Sequence, residues 1–278
     1  MKFQNVKGSN DFYPEDKAIQ KEIFDSLRST VKNYSFLEVE TPVFESLNLL
    51  TAKSGEEVKS QIFTLEKKGN EDLGLRFDLT VPLTRLFVTK QKTLQKPVKW
   101  FALDKNWRYE APQKGREREF YQLSVELFGS KETVADAEII QLAVDCLKNL
   151  GLKESDFKIK INNRKLLEGI LLKFIPKESI SNVTRIIDKS RKITKDEFEE
   201  SLAKEGVSKT EELIDLISFE GQPSEIIKKI SILTLNDEAN QGFKEIQNLF
   251  SLIDSKSLIL DLSIARGLEY YSGTVLKT

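Results

Sequence analysis

No histidine occurs anywhere in the 278 residues. Within this chain that excludes a histidine general base and every nucleophile–histidine triad. It also removes the commonest metal ligand, and a single cysteine, Cys146, cannot replace it. One cysteine cannot form a disulfide within the chain, so a reducing, cytoplasmic setting is expected. No apolar run approaches the roughly 20 residues of a membrane span, and no membrane contact is expected. The opening MKFQNVKGSN lacks the apolar core of a secretory leader. Charge of one sign is also missing: 43 Lys and Arg stand against 44 Asp and Glu, a formal net charge of -1. Any nucleic-acid contact must therefore come from local patches rather than a global basic footprint. What remains for chemistry is carboxylates, Lys, Arg, hydroxyls and a hard cation such as magnesium. No protein-held metal site is expected.

What is present suffices for a full core, with 39% hydrophobic residues. The length suits one large domain, or one domain with an insertion. Pro14-Glu15-Asp16 marks a helix start, and Ile19, Ile23, Phe24, Leu27 and Val31 follow at helical spacing. FLEVETPVFE (36–45) is strand-like and broken by Pro42, which favours an edge or a strand end. GLRFDLTVPLTRLF (74–87) reads as a short strand ending near Asp78, with Thr80 as N-cap and Pro82 in the first helical turn. ADAEIIQLAVDCLKNLGL (135–152) reads as an amphipathic helix, and FKIKIN (157–162) as a strand. From about 164 to 255 the pattern turns helical and strongly charged; strand character returns at SLILDLSIARG (257–267). This predicts a core over 1–163, a helical insertion over 164–255 and a return to the core over 256–278. No glycine-rich strand-to-helix phosphate loop is present. The expected fold is therefore α+β, an antiparallel β-sheet flanked by helices with a helical insertion domain, rather than a doubly wound parallel sheet.

The stretch RYEAPQKGREREFYQ (108–122) carries four basic and three acidic side chains around Pro112 and Gly115. Alternating segments flank it. Phe101, Leu103, Trp107 and Tyr109 share one face of the first; Asp104, Asn106, Arg108 and Glu110 share the other. In the second, Tyr121, Leu123, Val125 and Leu127 oppose Phe120, Gln122, Ser124 and Glu126. Period two in both predicts an antiparallel pair joined by a loop. A polyanion accounts for the charges, because arginine's planar fork holds phosphate oxygens bidentately. Arg108 on the polar face could hold a phosphate near the sheet, and Arg116 and Arg118 could reach outer phosphates from the loop. Glu110 could accept from an exocyclic amine, and Phe120 could stack on a flat base. Gln122 and Glu126, four residues apart and so about 13 Å along the strand, could touch opposite ends of a small cationic substrate. A solvated hairpin with surface ion pairs, each worth about 0–1 kcal/mol, accounts for the same charges from the bend alone.

Two further stretches matter. In ARGLEYYSG (265–273), Arg266 ends a strongly apolar strand and precedes Tyr270 and Tyr271. In LRFDLT (75–80), Asp78 stands at a strand end beside a helix start. Together the stretches resemble histidyl-tRNA synthetases, of the class II aminoacyl-tRNA synthetase fold, in their archaeal and eukaryotic form. RYEAPQKGREREFYQLSVELFG is similar to motif 2 of that family, and ARGLEYYSGTV to its histidine-specific segment. LRFDLTVPLTR resembles the segment that contacts the substrate amino group. VETPVFE resembles motif 1, at the dimer interface.

The resemblance implies roles. Arg108 would bind the α-phosphate of ATP, Glu110 the adenine edge, Phe120 the adenine face, and Arg116 the outer phosphates. Asp78, Thr80 and Gln122 would hold the amino group of L-histidine; Glu126, with Tyr270 or Tyr271, would surround the imidazole. Arg266 would sit beside the histidine carboxylate and the α-phosphate, which makes Arg266 and Arg108 the expected catalytic residues. ATP is implied as a substrate with its Mg2+, the acceptor end of tRNA(His) as the second substrate, and a homodimer as the assembly. The family continues beyond YSGTVLKT into motif 3 and an anticodon-binding domain, so the chain is expected to be a truncated catalytic domain. Two other readings share the fold. One is a synthetase-like regulatory subunit of ATP phosphoribosyltransferase that senses histidine. The other is a noncatalytic interaction domain. Arg108, Glu110, Arg116 and Arg266 argue for the ligase, since a pure sensor needs no α-phosphate clamp.

Overall fold

The computed structural model describes residues 3–52, 59–67, 69–131, 133–265 and 272–278. The chain forms two compact units, Met1–Lys131 and Glu132–Thr278.

The first unit begins with α1 (Pro14–Asn33), where Pro14 opens the first turn. The Asp16 carboxylate accepts the Tyr13 N–H at 3.2 Å, satisfying one of the free donors at a helix start. The expected strand 36–45 is split by its proline into β1 (Leu37–Glu38) and β2 (Phe44–Ser46). After α2 (Leu47–Thr51), β3 (Leu73–Leu75) pairs antiparallel with β2. The next helix, α3, is Thr80–Lys90. Thr80 is its first helical residue rather than its cap: the Asp78 carboxylate accepts the Val81 N–H at 3.2 Å, so the longer-reaching acid two residues upstream does the capping.

Strands β4 (Val98–Trp107) and β5 (Glu119–Phe128) form the antiparallel pair expected from their alternation. The register sets Phe101 opposite Val125, Asp104 opposite Gln122 and Asn106 opposite Phe120. Directly opposed residues share a face, so the two faces divide as the alternation implies. One face packs towards α1, where the rings of Phe24 and Tyr121 meet edge-on at 4.7 Å. The other is closed at one end by α3, through Leu79, Leu83 and Ala102 and a stacked Phe87–Phe128 pair. Its opposite end carries the polar side chains. β1 joins the edge of β4 in parallel. The expectation of an antiparallel sheet thus holds for the central pair, with a parallel strand added at the edge.

Arg76 is fully buried beside this sheet. Its guanidinium donates to the carbonyls of Thr41 (2.6 Å), Lys105 (3.0 Å) and Pro42 (3.3 Å). Its Nη2 lies 2.5 Å from the Asp104 carboxylate. A buried guanidinium is tolerated when carbonyls and a counter-charge replace its water.

The second unit starts with α4 (Thr133–Asn149), which ends at Gly151 in the left-handed conformation (φ +94°). Next comes β6 (Ile159–Asn163). The helical stretch then contains α5 (Arg164–Leu171), α6 (Ile180–Lys189), α7 (Lys195–Lys204), α8 (Thr210–Ile217), α9 (Pro223–Ser231) and α10 (Asp237–Leu252). A two-residue strand, β7 (Glu220–Gly221), interrupts it. β8 (Leu258–Asp261) and β9 (Thr274–Lys277) complete a sheet of order β7-β8-β6-β9, in which only the β6–β8 pairing is parallel. Helices and sheet share one apolar core. Ile140 and Val144 of α4, Ile159 and Ile161 of β6 and Leu258 and Leu260 of β8 lie in it with the helical residues. α5 and α10 cross so closely that a Cβ on Gly242 would sit 2.3 Å from the Leu166 backbone nitrogen. No helix among the described residues is long and apolar enough to cross a membrane.

Candidate active site

The polar end of the β4–β5 face, its hairpin and the start of α3 bring eight of the expected residues into one unit. The connection between the strands is tight. Gln113 and Arg116 exchange both backbone hydrogen bonds, at 3.1 and 2.8 Å, around Lys114-Gly115. Gly115 takes φ +78°, which suits the residue without a Cβ. At the base of this loop the Gly8 carbonyl accepts the N–H groups of Arg118 (2.8 Å) and Glu119 (3.0 Å). Gly8 is itself left-handed (φ +86°), and a Cβ there would meet Arg118 Cγ at 2.8 Å and Pro112 Cγ at 2.9 Å. The N-terminal segment therefore clamps the hairpin by a contact that only glycine allows. The sequence carries that signal as a single glycine followed by Ser-Asn, too little to find it.

Arg108 is half-buried. Its Nε donates to the Phe77 carbonyl at 3.0 Å, and its Cζ lies 5.0 Å from the centre of the Phe120 ring. Those two contacts hold the guanidinium plane, with Nε as the nitrogen bonded to the Phe77 carbonyl. Glu110 and Arg116 form a loose ion pair at 3.4 Å, with Arg116 more than half exposed. Arg118 donates to the Glu110 carbonyl at 3.0 Å and lies 4.5 Å over the Tyr109 ring, so it braces the hairpin.

Asp78, Thr80, Gln122 and Glu126 form the other half. Burial pushes the Asp78 carboxyl up from its ordinary range; the Val81 N–H, the Arg108 charge and the Thr80 N–H oppose the rise. Burial likewise raises Glu126, and the nearby charge of Asp78 adds to it. Two hydroxyls act the other way by donating to Glu126: Ser124, at 2.9 Å, and Thr80. Two partly buried carboxylates within electrostatic reach of one another favour a cationic ligand, whose charge would relieve both. Gln122 accepts from the Asn106 side chain at 2.8 Å. Alternation places Asn106 on the polar face but gives no sign that it is fully buried. Arg266, Tyr270 and Tyr271 lie outside the described residues. Among the described residues no group of three or more acidic, cysteine or histidine side chains could hold a metal ion.

The chain spans 64% of the length of the curated relatives it matches. One of these is a histidine–tRNA ligase of Pyrococcus abyssi, 38% identical over 283 residues that cover 99% of this chain. Among solved structures, histidyl-tRNA synthetase from Nostoc sp. superposes with a TM-score of 0.85 at 27% identity, covering all of this chain and 65% of that one. A Bacillus halodurans protein, described as an ATP phosphoribosyltransferase regulatory subunit/histidyl-tRNA synthetase, gives a TM-score of 0.87 over the whole chain and 72% of its own. At 24% identity, that likeness speaks to the fold alone. The model of one family, histidyl-tRNA synthetase, matches residues 8–278. With its class II fold and a match running through both units, the chain belongs to the histidyl-tRNA synthetase family.

Proposed function

We propose that the protein acts as a histidine–tRNA ligase, and that this chain carries its adenylate-forming site. The observation that supports this best is the joining of two binding halves on one strand face. An arginine-bearing hairpin suited to a nucleotide adjoins an acidic, hydroxyl-lined group suited to a cationic amino acid. In this reading Arg108 holds the α-phosphate, Phe120 and Glu110 the adenine, and Arg116 the outer phosphates. Asp78, Thr80 and Gln122 receive the substrate ammonium, and Glu126 the imidazole with Tyr270 or Tyr271. Arg266, by its motif, would be the residue beside the reacting carboxylate.

The histidine carboxylate oxygen attacks the α-phosphorus, and the bond to the bridging oxygen of pyrophosphate breaks. Negative charge grows on the phosphate oxygens, where preorganised arginines stabilise it most. Magnesium would arrive with ATP and take ligands chiefly from its phosphates. The terminal ribose hydroxyl of tRNA(His) then attacks the adenylate carbonyl and AMP leaves. Neither step needs a nucleophile or a histidine base from the protein, and the chain has no histidine.

We further read the protein as cytoplasmic and homodimeric, and 164–255 as an insertion in the catalytic core that faces the tRNA acceptor stem. Histidine-dependent exchange of pyrophosphate into ATP tests the central reading. Exchange that requires histidine supports it. Histidine binding without exchange, in the chain and in the longer protein that contains it, would transfer the assignment to a histidine-sensing regulatory subunit.

A further inference from the structure

We propose that Asn106 is a positioning residue that sets the affinity for the substrate ammonium by fixing the carboxamide of Gln122. The inference rests on the placement of Gln122 in the amino-acid site.

Asn106 is 0% exposed, in the middle of the polar face. Its Nδ2 donates to Gln122 Oε1 at 2.8 Å, while its Oδ1 is buried with no hydrogen-bond partner. The register explains the meeting. Asn106 stands opposite Phe120 and Gln122 opposite Asp104, so the two amides are diagonal neighbours on one face. A buried carboxamide with an unpaired oxygen costs stability that an apolar residue of similar size would not. Packing alone therefore gives no reason for asparagine here.

Gln122 supplies a reason. A glutamine amide can turn either its carbonyl or its NH2 towards a ligand, and only the carbonyl suits an ammonium. Free rotation would divide Gln122 between the two. Asn106 removes that freedom by donating to one defined atom, Gln122 Oε1, at 2.8 Å. The carbonyl oxygen is thereby fixed in place, with its second lone pair left for a ligand. That end of Gln122 is assigned before the substrate arrives, which lowers the entropic cost of binding.

The test is Asn106→Leu, which removes the donor and the unpaired acceptor together, so the fold should hold or gain stability. Calorimetry should show L-histidine binding roughly 3- to 10-fold weaker, with ATP affinity within twofold and thermal midpoint not lowered. The des-amino analogue, imidazolepropionate, should bind wild type and variant alike, because the effect acts through the ammonium. In a Gln122→Ala background, Asn106→Leu should cause no further loss. Equal losses for histidine and the des-amino analogue, or an additive loss on Gln122→Ala, overturn the proposal and make Asn106 structural. If Gln122→Ala alone leaves histidine affinity unchanged, the placement of Gln122 fails and the proposal fails with it.

Discussion

Arg191 Nη2 lies 2.6 Å from the Asp261 carboxylate, which is 1% exposed. The same nitrogen lies 2.8 Å from Glu220, and Lys160 approaches Asp261 at 3.1 Å. Ser263 completes the group, donating its hydroxyl to Asp261 at 2.6 Å. Arg191 thus ties the turn after α6 to the ends of β7 and β8. In the sequence it belongs to DKSRKITK, the densest basic cluster of the helical stretch and the natural candidate for phosphate contacts. Its structural partners assign it a bracing role instead.

Arg191→Ala should therefore cost about 1 kcal/mol in urea denaturation. The estimate is at the low end for a buried carboxylate because Arg191 is about half exposed and Lys160 remains. Lys189→Ala and Lys192→Ala should stay within about 0.5 kcal/mol. If this turn touches tRNA, those two lysines make the contact. Neutralising both should weaken charging at low salt and flatten its salt dependence by about 0.9 in log–log slope per lost contact. Pyrophosphate exchange should not change.

Glu126→Gln should trade binding for stability. Burial raises the Glu126 carboxyl, and Asp78 adds to the rise. The folded state then binds the proton more tightly than the unfolded chain does. Its stabilising contribution is complete below the unfolded value of about 4.3 and is lost as pH rises through the raised folded value. At neutral pH the ionised group is a net cost, which glutamine removes. Thermal melts should show Glu126→Gln above wild type at pH 7, with the gap closing towards about pH 4. Histidine affinity should fall while ATP affinity holds. A lower melting point at pH 7, or an equal loss for ATP, would count against the placement of Glu126.

Alternation makes β4 and β5 readable, because apolar and polar residues divide between the two faces and directly opposed residues share a face. It could not distinguish a polar residue in water from one sealed under a neighbour. Asn106 and Arg76 are both fully buried, yet each resembles any other polar residue on a strand. Their role depends on partners 16 and 29 positions away, Gln122 and the Lys105 carbonyl. Motif wording nominates Asp78, Arg108, Gln122 and Glu126, since their spacing is local. Thr80 reads as the cap in sequence, yet the helix begins at Thr80 itself and the Asp78 carboxylate takes the Val81 N–H. The parallel β1–β4 pairing was hidden for a related reason: two residues are too few to show a period.

Arg108→Lys should lower the rate of adenylate formation by about 100-fold with a smaller effect on ATP affinity. The guanidinium is held by the Phe77 carbonyl and the Phe120 ring. A lysine ammonium keeps the charge but loses both the planar fork and its fixed direction. Single-turnover quench measurements with histidine and ATP separate the two effects. Arg266→Ala should behave alike on the strength of its motif, with the rate falling far more than ATP binding. A near-normal rate for either variant would make that arginine structural.

The last prediction concerns assembly. Phe36 and Val39, two of the apolar residues that precede Pro42, turn inward, Phe36 fully and Val39 in part. Leu37 and Val43 do not, and Phe44 beside them is half exposed. On α1, Ile19 and Ile23 are also exposed, four residues apart and so on one face of the helix. β1 pairs with β4 alone, so its outer edge has no strand partner among the described residues. Exposed Leu37 at an unpaired strand edge and exposed Ile19 and Ile23 on a helix face invite pairing with another chain unless something covers them. A second copy related by a two-fold axis would cover both with the same surface. Sedimentation velocity at micromolar concentration should therefore give a dimer. Leu37→Glu, which places a charge at that edge, should shift it towards monomer by roughly tenfold or more in dissociation constant while leaving the monomer folded. A wild-type monomer at these concentrations would remove the support for a dimer formed through this face. A dimer indifferent to Leu37→Glu would place the interface elsewhere.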